Sequence, residues 1–519
     1  MLLQPVLPNL ESEFEYLTAK FTFFILLSIA VAGAIACLFN NILKYSSKVS
    51  FELRRNINAD GDSGSDIQCF EHDQHSLDAL ASILEPCPSP NPSSSYKPNI
   101  DINILLHERA IPNARLVRAL GLTNTFVSDS LEVHRNFVRR ALGMLHRARG
   151  RGWDWAAQVA RGAVGSGGLE DRGSITHVAP QDSEEDHIIK FDTLIQNTTL
   201  LVVLVVLLGQ DESLFEPSAS DASSNCTSDS SACFTRSDIE CVAKNITLLW
   251  GLSKLPEAIS PHILEEMNGA LKRLTKGQQR GDDNGEEDKG VDGDLEGSDN
   301  PLDFVIPTWE TLWRVVATTV AYAYTCGDDE SEILKEALVE FVKDPTEAQF
   351  RRASNTNTLL NADTMDVRCI VAECMRLHPP SKHIGRSKVR AWWSFVLRIF
   401  PASWTRYPWG NSHLTRVKVN ADVGALLRCQ KIWGADAASF MPRRHLPLQA
   451  TNEQKEAMGW VFGYGRLKCV AAKWAPMAVG VVAGAVVERM EREGMVVVKG
   501  GGGIGGRGGW EGWWVVRKK

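Results

Sequence analysis

The run Phe462-Gly463-Tyr464-Gly465-Arg466-Leu467-Lys468-Cys469 sets one cysteine behind two glycines and just ahead of the apolar, helix-like stretch Ala478 to Val487. Glycine lets a backbone turn tightly and approach a flat partner closely. Free amide N–H groups and a helix N-terminus favour the thiolate form of a cysteine held there. A thiolate so held is a strong axial ligand for iron. The rest of the eleven cysteines are scattered, with no C-x-x-C spacing and no secreted disulfide framework, and read as buried apolar thiols in a reducing compartment. A second group is charged. Glu373 and Arg376 stand at i and i+3 on one helix face, where an isolated surface pair stabilises by roughly 0.2–0.5 kcal/mol. A third is the adjacent acid and alcohol of Ile306-Pro307-Thr308-Trp309-Glu310-Thr311, residue types that also begin ordinary helices.

Two further stretches fall in a telling order. Glu373-Cys374-Met375-Arg376 runs on into Leu377-His378-Pro379-Pro380, and Phe440-Met441-Pro442-Arg443-Arg444-His445 follows the approach Lys431-Ile432-Trp433-Gly434-Ala435-Asp436-Ala437. With the cysteine loop and Glu310-Thr311, they resemble the cytochrome P-450 family, the haem-thiolate monooxygenases, over most of residues 100–490, the specific motifs lying between 306 and 471. The resemblance implies haem b, with Cys469 as axial thiolate and Phe462 and Gly465 shaping the loop that holds it. It implies a buried network of Glu373, Arg376 and Arg444, structural rather than catalytic, that locks the meander beneath the haem. Arg386, ten residues after Arg376, takes the place of a propionate anchor, and Arg139, or Arg140 beside it, that of a second, without the tryptophan usual there. Glu310 and Thr311 would deliver protons to bound dioxygen, with Thr318-Thr319 as the other candidate threonines, although no acid precedes these. Three positions depart from the pattern: Arg443 stands for Glu, Leu467 for Arg and Ala471 for Gly.

These residues need elements to position them. The pattern predicts a mainly α fold with a minor β part, the cytochrome P-450 fold by resemblance, after an N-terminal transmembrane helix. Helical segments are expected over Asn103 to Arg149, Arg236 to Leu274, Asp303 to Tyr324, Ser331 to Lys343 and Thr364 to Leu377, the last capped by Asp363 or Thr364. Pro307 is expected to interrupt the ladder of its helix. Thr199 to Gly209 is too short to span a membrane and reads as core helix or strand. The uncharged run Phe21 to Phe39 suits a single membrane span. Glu11, Glu13 and Glu15 precede it and Lys44, Lys48, Arg54 and Arg55 follow, which places the bulk of the chain in the cytosol. The expected order is a lumenal tail over 1–20, the anchor over 21–39, a linker and the start of the catalytic domain over 40–100, that domain over 101–495 with an acidic disordered loop at 277–300, and a Gly/Trp-rich tail over 496–519. Residues 56–100, rich in Pro and Ser, are poor helix material.

The formal net charge of −7 gives no reason to expect nucleic acid as a partner. The sequons at Asn197, Asn225 and Asn245 are chance matches on a cytosolic domain. The resemblance thus implies a single-pass enzyme of the endoplasmic-reticulum membrane. It would take electrons from NADPH–cytochrome P-450 reductase and insert one oxygen atom from dioxygen into a lipophilic small molecule. Its motif style looks like divergent filamentous-fungal members, many of which serve secondary metabolism. Two alternatives stand beside it: a haem-thiolate isomerase or dehydratase that needs no reductase, and a non-catalytic remnant without haem.

Overall fold

Among the described residues helices predominate, several of them opened by a capping side chain. The computed structural model describes residues 77–84, 101–166, 188–215, 236–257, 259–275, 300–351, 365–391 and 414–518. All of these belong to one compact unit, Asp73–Lys519. The anchor expected at Phe21 to Phe39, Asn225 and nearly all of the acidic loop lie outside the described residues. Among the described residues no helix is long and apolar enough to cross a membrane.

The helices are α1 (Leu77–Leu84), α2 (Ile102–Leu120), α3 (Leu131–Arg151), α4 (Trp153–Val164), α5 (Phe191–Val202), α6 (Arg236–Leu252), α7 (Pro261–Thr275), α8 (Leu302–Thr325), α9 (Asp328–Lys343), α10 (Glu347–Phe350), α11 (Val367–Leu377), α12 (Val423–Leu426), α13 (Gln430–Trp433), α14 (Asn452–Gly459) and α15 (Ala475–Arg492). Two small antiparallel sheets accompany them: β2 (His383–Ala391) with β3 (Leu414–Asp422), and β1 (Ile189–Lys190), β5 (Trp514–Arg517) and β4 (Met495–Val498) in that spatial order. The described part is mainly helical with small sheets.

Several expectations are corrected by local chemistry. Asn103 to Arg149 is two helices, because Gly121 takes a left-handed φ of 62° and ends α2, and Ser130 then caps α3 by accepting from the Val133 N–H. Within the Pro/Ser-rich linker α1 forms and buries Leu80 and Leu84. Helix α11 begins later than expected, capped by Asp366, whose carboxylate accepts from the Arg368 N–H at 2.8 Å. The apolar run after Thr199 continues α5 into a π-helical turn, Val203–Leu207, that is wholly buried. Asn197 and Asn245 are buried side chains within helices, as suits chance sequons.

Helix α8 runs unbroken through Pro307. Proline lacks the N–H that would reach the carbonyl four residues back. Here Asn124 fills the gap: its Nδ2 donates to the Asp303 carbonyl at 2.8 Å, and the Asp303 carboxylate accepts from the backbone N–H groups of Thr123 at 2.9 Å and Asn124 at 3.1 Å. On α15, Gly484 lets the helix meet α9 closely, since a Cβ there would lie 2.6 Å from the Leu338 carbonyl oxygen. The C-terminal stretch is part of the core rather than an appendage. Trp510 and Trp513 are buried, their rings pack on Phe191, and the Trp513 carbonyl accepts from the Phe191 N–H.

Candidate active site

The cysteine loop is built from two short turns. Trp460–Phe462 forms one 3₁₀ turn and Gly465–Leu467 another, with Gly463 (φ 84°) and Gly465 (φ 61°) in backbone regions that side chains disfavour. The Cys469 N–H donates to the Phe462 carbonyl at 2.7 Å and closes the loop. Phe462 is half-buried, Gly465 exposed, and Tyr464 stacks on Trp460 with ring centroids 4.3 Å apart. Cys469 is exposed, yet the protein crowded around it pushes its thiol pKa up by desolvation, against a hydrogen bond from the Ala471 N–H that favours the thiolate. The helix N-terminus expected to lower this pKa stands off, because turns occupy 470–474 and α15 starts only at Ala475. A bound metal cation would supply what the helix does not, since coordination deprotonates a thiol outright.

The second group is fully buried. Arg376 grips Glu373 with both arms, Nε to Oε2 at 2.7 Å and Nη2 to Oε1 at 2.8 Å, and neither side chain has exposed surface. The spare Arg376 donors bind the carbonyls of Leu427, Ala437 and Ser439, so this helix residue pins the chain between β3 and α14. Arg444 donates to Glu373 Oε1 at 3.1 Å and the Met441 N–H to the same oxygen at 2.8 Å. His445, which sequence reasoning missed, completes the group with Nε2 2.8 Å from Glu373 Oε2. Only its adjacency to Arg444 could have pointed to it. Burial alone would raise the Glu373 pKa, but the bonds from Arg376 and His445 hold it at about 2. Arg443 is exposed and lies off the cluster.

A third group is cationic. Arg386 is buried on β2 and donates to the Gly385 carbonyl. Near it is buried Arg109 of α2, whose pKa falls to about 10 through burial and then through the charge of Arg386. Arg109 Nη2 donates to the carbonyl and hydroxyl of Thr125, and that hydroxyl lies 2.8 Å from His134 Nδ1. Two buried guanidiniums this close suit carboxylate groups. Arg109 carries no motif and could not have been singled out from the sequence. On α3, Arg139 is exposed, whereas Arg140 lies over the Phe304 ring at 4.7 Å; of the two, Arg140 is the one turned inward.

Helix α8 carries the fourth group. Glu310 is buried, and its Oε1 accepts from Arg507 Nε at 2.5 Å, with Arg314 Nε 3.5 Å away. Its Oε2 is buried and has no hydrogen-bond partner among the described residues. Arg314 has its pKa lowered to about 10 by burial, Glu310 opposing and Arg507 adding to the shift, and its Nη1 holds the Pro380 carbonyl at 2.8 Å. The Thr311 hydroxyl bonds back to the carbonyls of Pro307 (3.3 Å) and Thr308 (3.4 Å). Thr318 and Thr319 are buried and bond back to Arg314 and Val315. The fold therefore brings Glu373, Arg376 and Arg444 together as expected, gives Arg386 an unforeseen neighbour in Arg109, and pairs Glu310 with Arg507 of the C-terminal stretch. Cys469 makes its hydrogen bonds within its own loop.

No family model matches the chain, and no curated protein matches it in sequence. Among solved structures it is similar to the crystal structure of a cytochrome P450 (CYP102L1), with a TM-score of 0.45 and 13% identity over 85% of this chain and 91% of that one. A likeness at this level leaves the reading of function to the residues themselves.

Proposed function

We propose that this chain is a haem-thiolate monooxygenase of the cytochrome P-450 type, acting on a lipophilic small molecule. The observation that carries the reading is the closed glycine loop that presents an accessible Cys469, with the Glu373–Arg376–Arg444 cluster bracing the segment that leads to it. Cys469 would ligate the iron, and Arg386 with Arg109, and Arg140 from α3, would take the haem carboxylates. Haem bound by a thiolate supplies dioxygen activation, the thiolate favouring O–O cleavage. The chain's own part is ligation, placement of substrate and control of water and protons. Glu310 Oε2, held by the clamp on Oε1 and without other partners among the described residues, is the atom suited to hold a proton or a water. Electrons would come from NADPH–cytochrome P-450 reductase, and the Phe21 to Phe39 anchor would place both proteins on the endoplasmic-reticulum membrane. A place in fungal secondary metabolism belongs to the same proposal.

The test is the difference spectrum of the reduced, carbon-monoxide-bound protein. Wild type is expected to show a far-red-shifted Soret band that Cys469→Ser lacks. Folded wild-type protein without haem would sink the proposal and favour a remnant.

A second reading, a haem-thiolate isomerase or dehydratase, is favoured by one observation: Glu310 Oε1 is taken up by Arg507, and the Thr311 hydroxyl is tied to its own helix. Turnover that needs neither NADPH nor reductase would decide for it.

A further inference from the structure

Three arginines and one carboxylate converge from three parts of the fold. Arg115 projects from α2, is half-buried, donates from Nη1 to the Ser253 hydroxyl just beyond α6, and lies over the ring of Trp250 at 5.1 Å. Arg507 reaches in from the C-terminal stretch and lies over the same ring at 4.4 Å. It also clamps Glu310, beside which stands Arg314. Among the described residues, Glu310 is the carboxylate that pairs with these arginines, and Arg115 has none. The cluster thus holds a formal excess of positive charge where burial already costs a guanidinium something: burial and the charge of Arg507 both lower the pKa of Arg115. The indole face of Trp250 offsets part of that cost but cannot neutralise it. A charge taken from water is stabilised when an opposite charge meets it. A guanidinium fork meets a carboxylate with two parallel N–H···O bonds.

We propose that Arg115 and Arg507, set over Trp250, form an anion-binding subsite that selects ligands carrying a carboxylate. This deepens the haem-thiolate reading by naming a substrate class. It rests on that reading for the chemistry, though not for the binding itself. Within the subsite Arg115 is the freer partner. Arg507 divides its donors between the ligand and Glu310, so a bound carboxylate competes with Glu310 for the same guanidinium.

The experiment uses the full chain and a matched pair of probes, naphthalene-2-carboxylate and the neutral naphthalene-2-carboxamide, with binding measured by isothermal titration calorimetry. Wild type is expected to bind the carboxylate at least about tenfold tighter than the amide. Arg115→Gln should bring the two near parity while leaving the Arg507–Glu310 pair intact, and circular dichroism checks its fold. Arg507→Gln should do the same but leaves Glu310 without its main partner, so Arg115→Gln is the deciding variant. Parity in wild type, failure of wild type to bind the carboxylate, or a preference that Arg115→Gln leaves unchanged would each overturn the proposal. A charge preference retained by protein that shows no thiolate-haem spectrum would sink the haem reading alone. Haem present with no charge preference would sink the subsite alone.

Discussion

Glu373 sits without exposed surface among Arg376, Arg444, His445 and the Met441 N–H. A carboxylate with a pKa of about 2 is ionised at every physiological pH and can only accept, so the His445 nitrogen facing it must carry a proton. Burial lowers the His445 pKa, against the pull of Glu373, so at neutral pH the ring is uncharged and donates from Nε2. The sign of the pH dependence follows. Both folded-state values lie below the ordinary ones of 6.5 for His445 and 4.5 for Glu373, so both contributions are present at higher pH and are lost on acidification. The His445 part declines as pH falls below 6.5, and the Glu373 part between 4.5 and about 2. Glu373→Gln strands the Arg376 charge in the interior and should cost about 3–5 kcal/mol at neutral pH. Urea melts across the acid range should also show that the variant loses less stability than wild type between pH 4.5 and 2. Parallel curves would mean that Glu373 is not the titrating group. The Glu-x-x-Arg spacing showed this pair in the sequence and the family resemblance implied its burial, but neither showed its histidine, which depends on the segment 441–445 folding back onto α11.

Helix α8 shows where element-scale reasoning succeeds and where it stops. Its apolar run, from Phe304 to Ala323, marks a long buried helix in the sequence, and the observed Leu302–Thr325 matches the expected span closely. What the sequence could not show is how Pro307 is tolerated, because the substitute donor, Asn124, belongs to the loop between α2 and α3. Asn124→Ala leaves the Asp303 carbonyl buried without that donor and should cost about 1–3 kcal/mol. Thermal melts test it: an Asn124→Ala variant as stable as wild type would show that the bridge from Asn124 is not what carries Pro307. The cap of α11 teaches a similar lesson: Asp363, Thr364 and Asp366 are all capable caps, and Asp366 is chosen because its buried carboxylate also meets Arg368.

At the scale of the whole molecule, the C-terminal stretch matters more than its composition suggests. Glycine carries no periodicity, so residues 500–512 offered nothing to read, and the convergence of Arg507 with Glu310, 197 residues away, is purely tertiary. Yet Trp510 and Trp513 close over Phe191, β5 joins β1 to β4, and Arg507 supplies the short contact to a carboxylate buried in the central helix. Three contributions therefore hold this stretch: burial of large aromatic surface, the strand pairing of β5, and one ion pair whose members are costly to leave alone. A double-mutant cycle separates them. Arg507→Gln strands Glu310 with Arg314 as its remaining cation at 3.5 Å and should cost about 3–5 kcal/mol. Adding Glu310→Gln removes the stranded charge, so the double variant should lose less than the sum of the single losses, by at least about 1 kcal/mol in urea denaturation. The tryptophan burial is common to all four proteins and cancels. Strict additivity would show that Arg507 and Glu310 do not act together, and the C-terminal stretch would then be held by its aromatic packing and strand pairing.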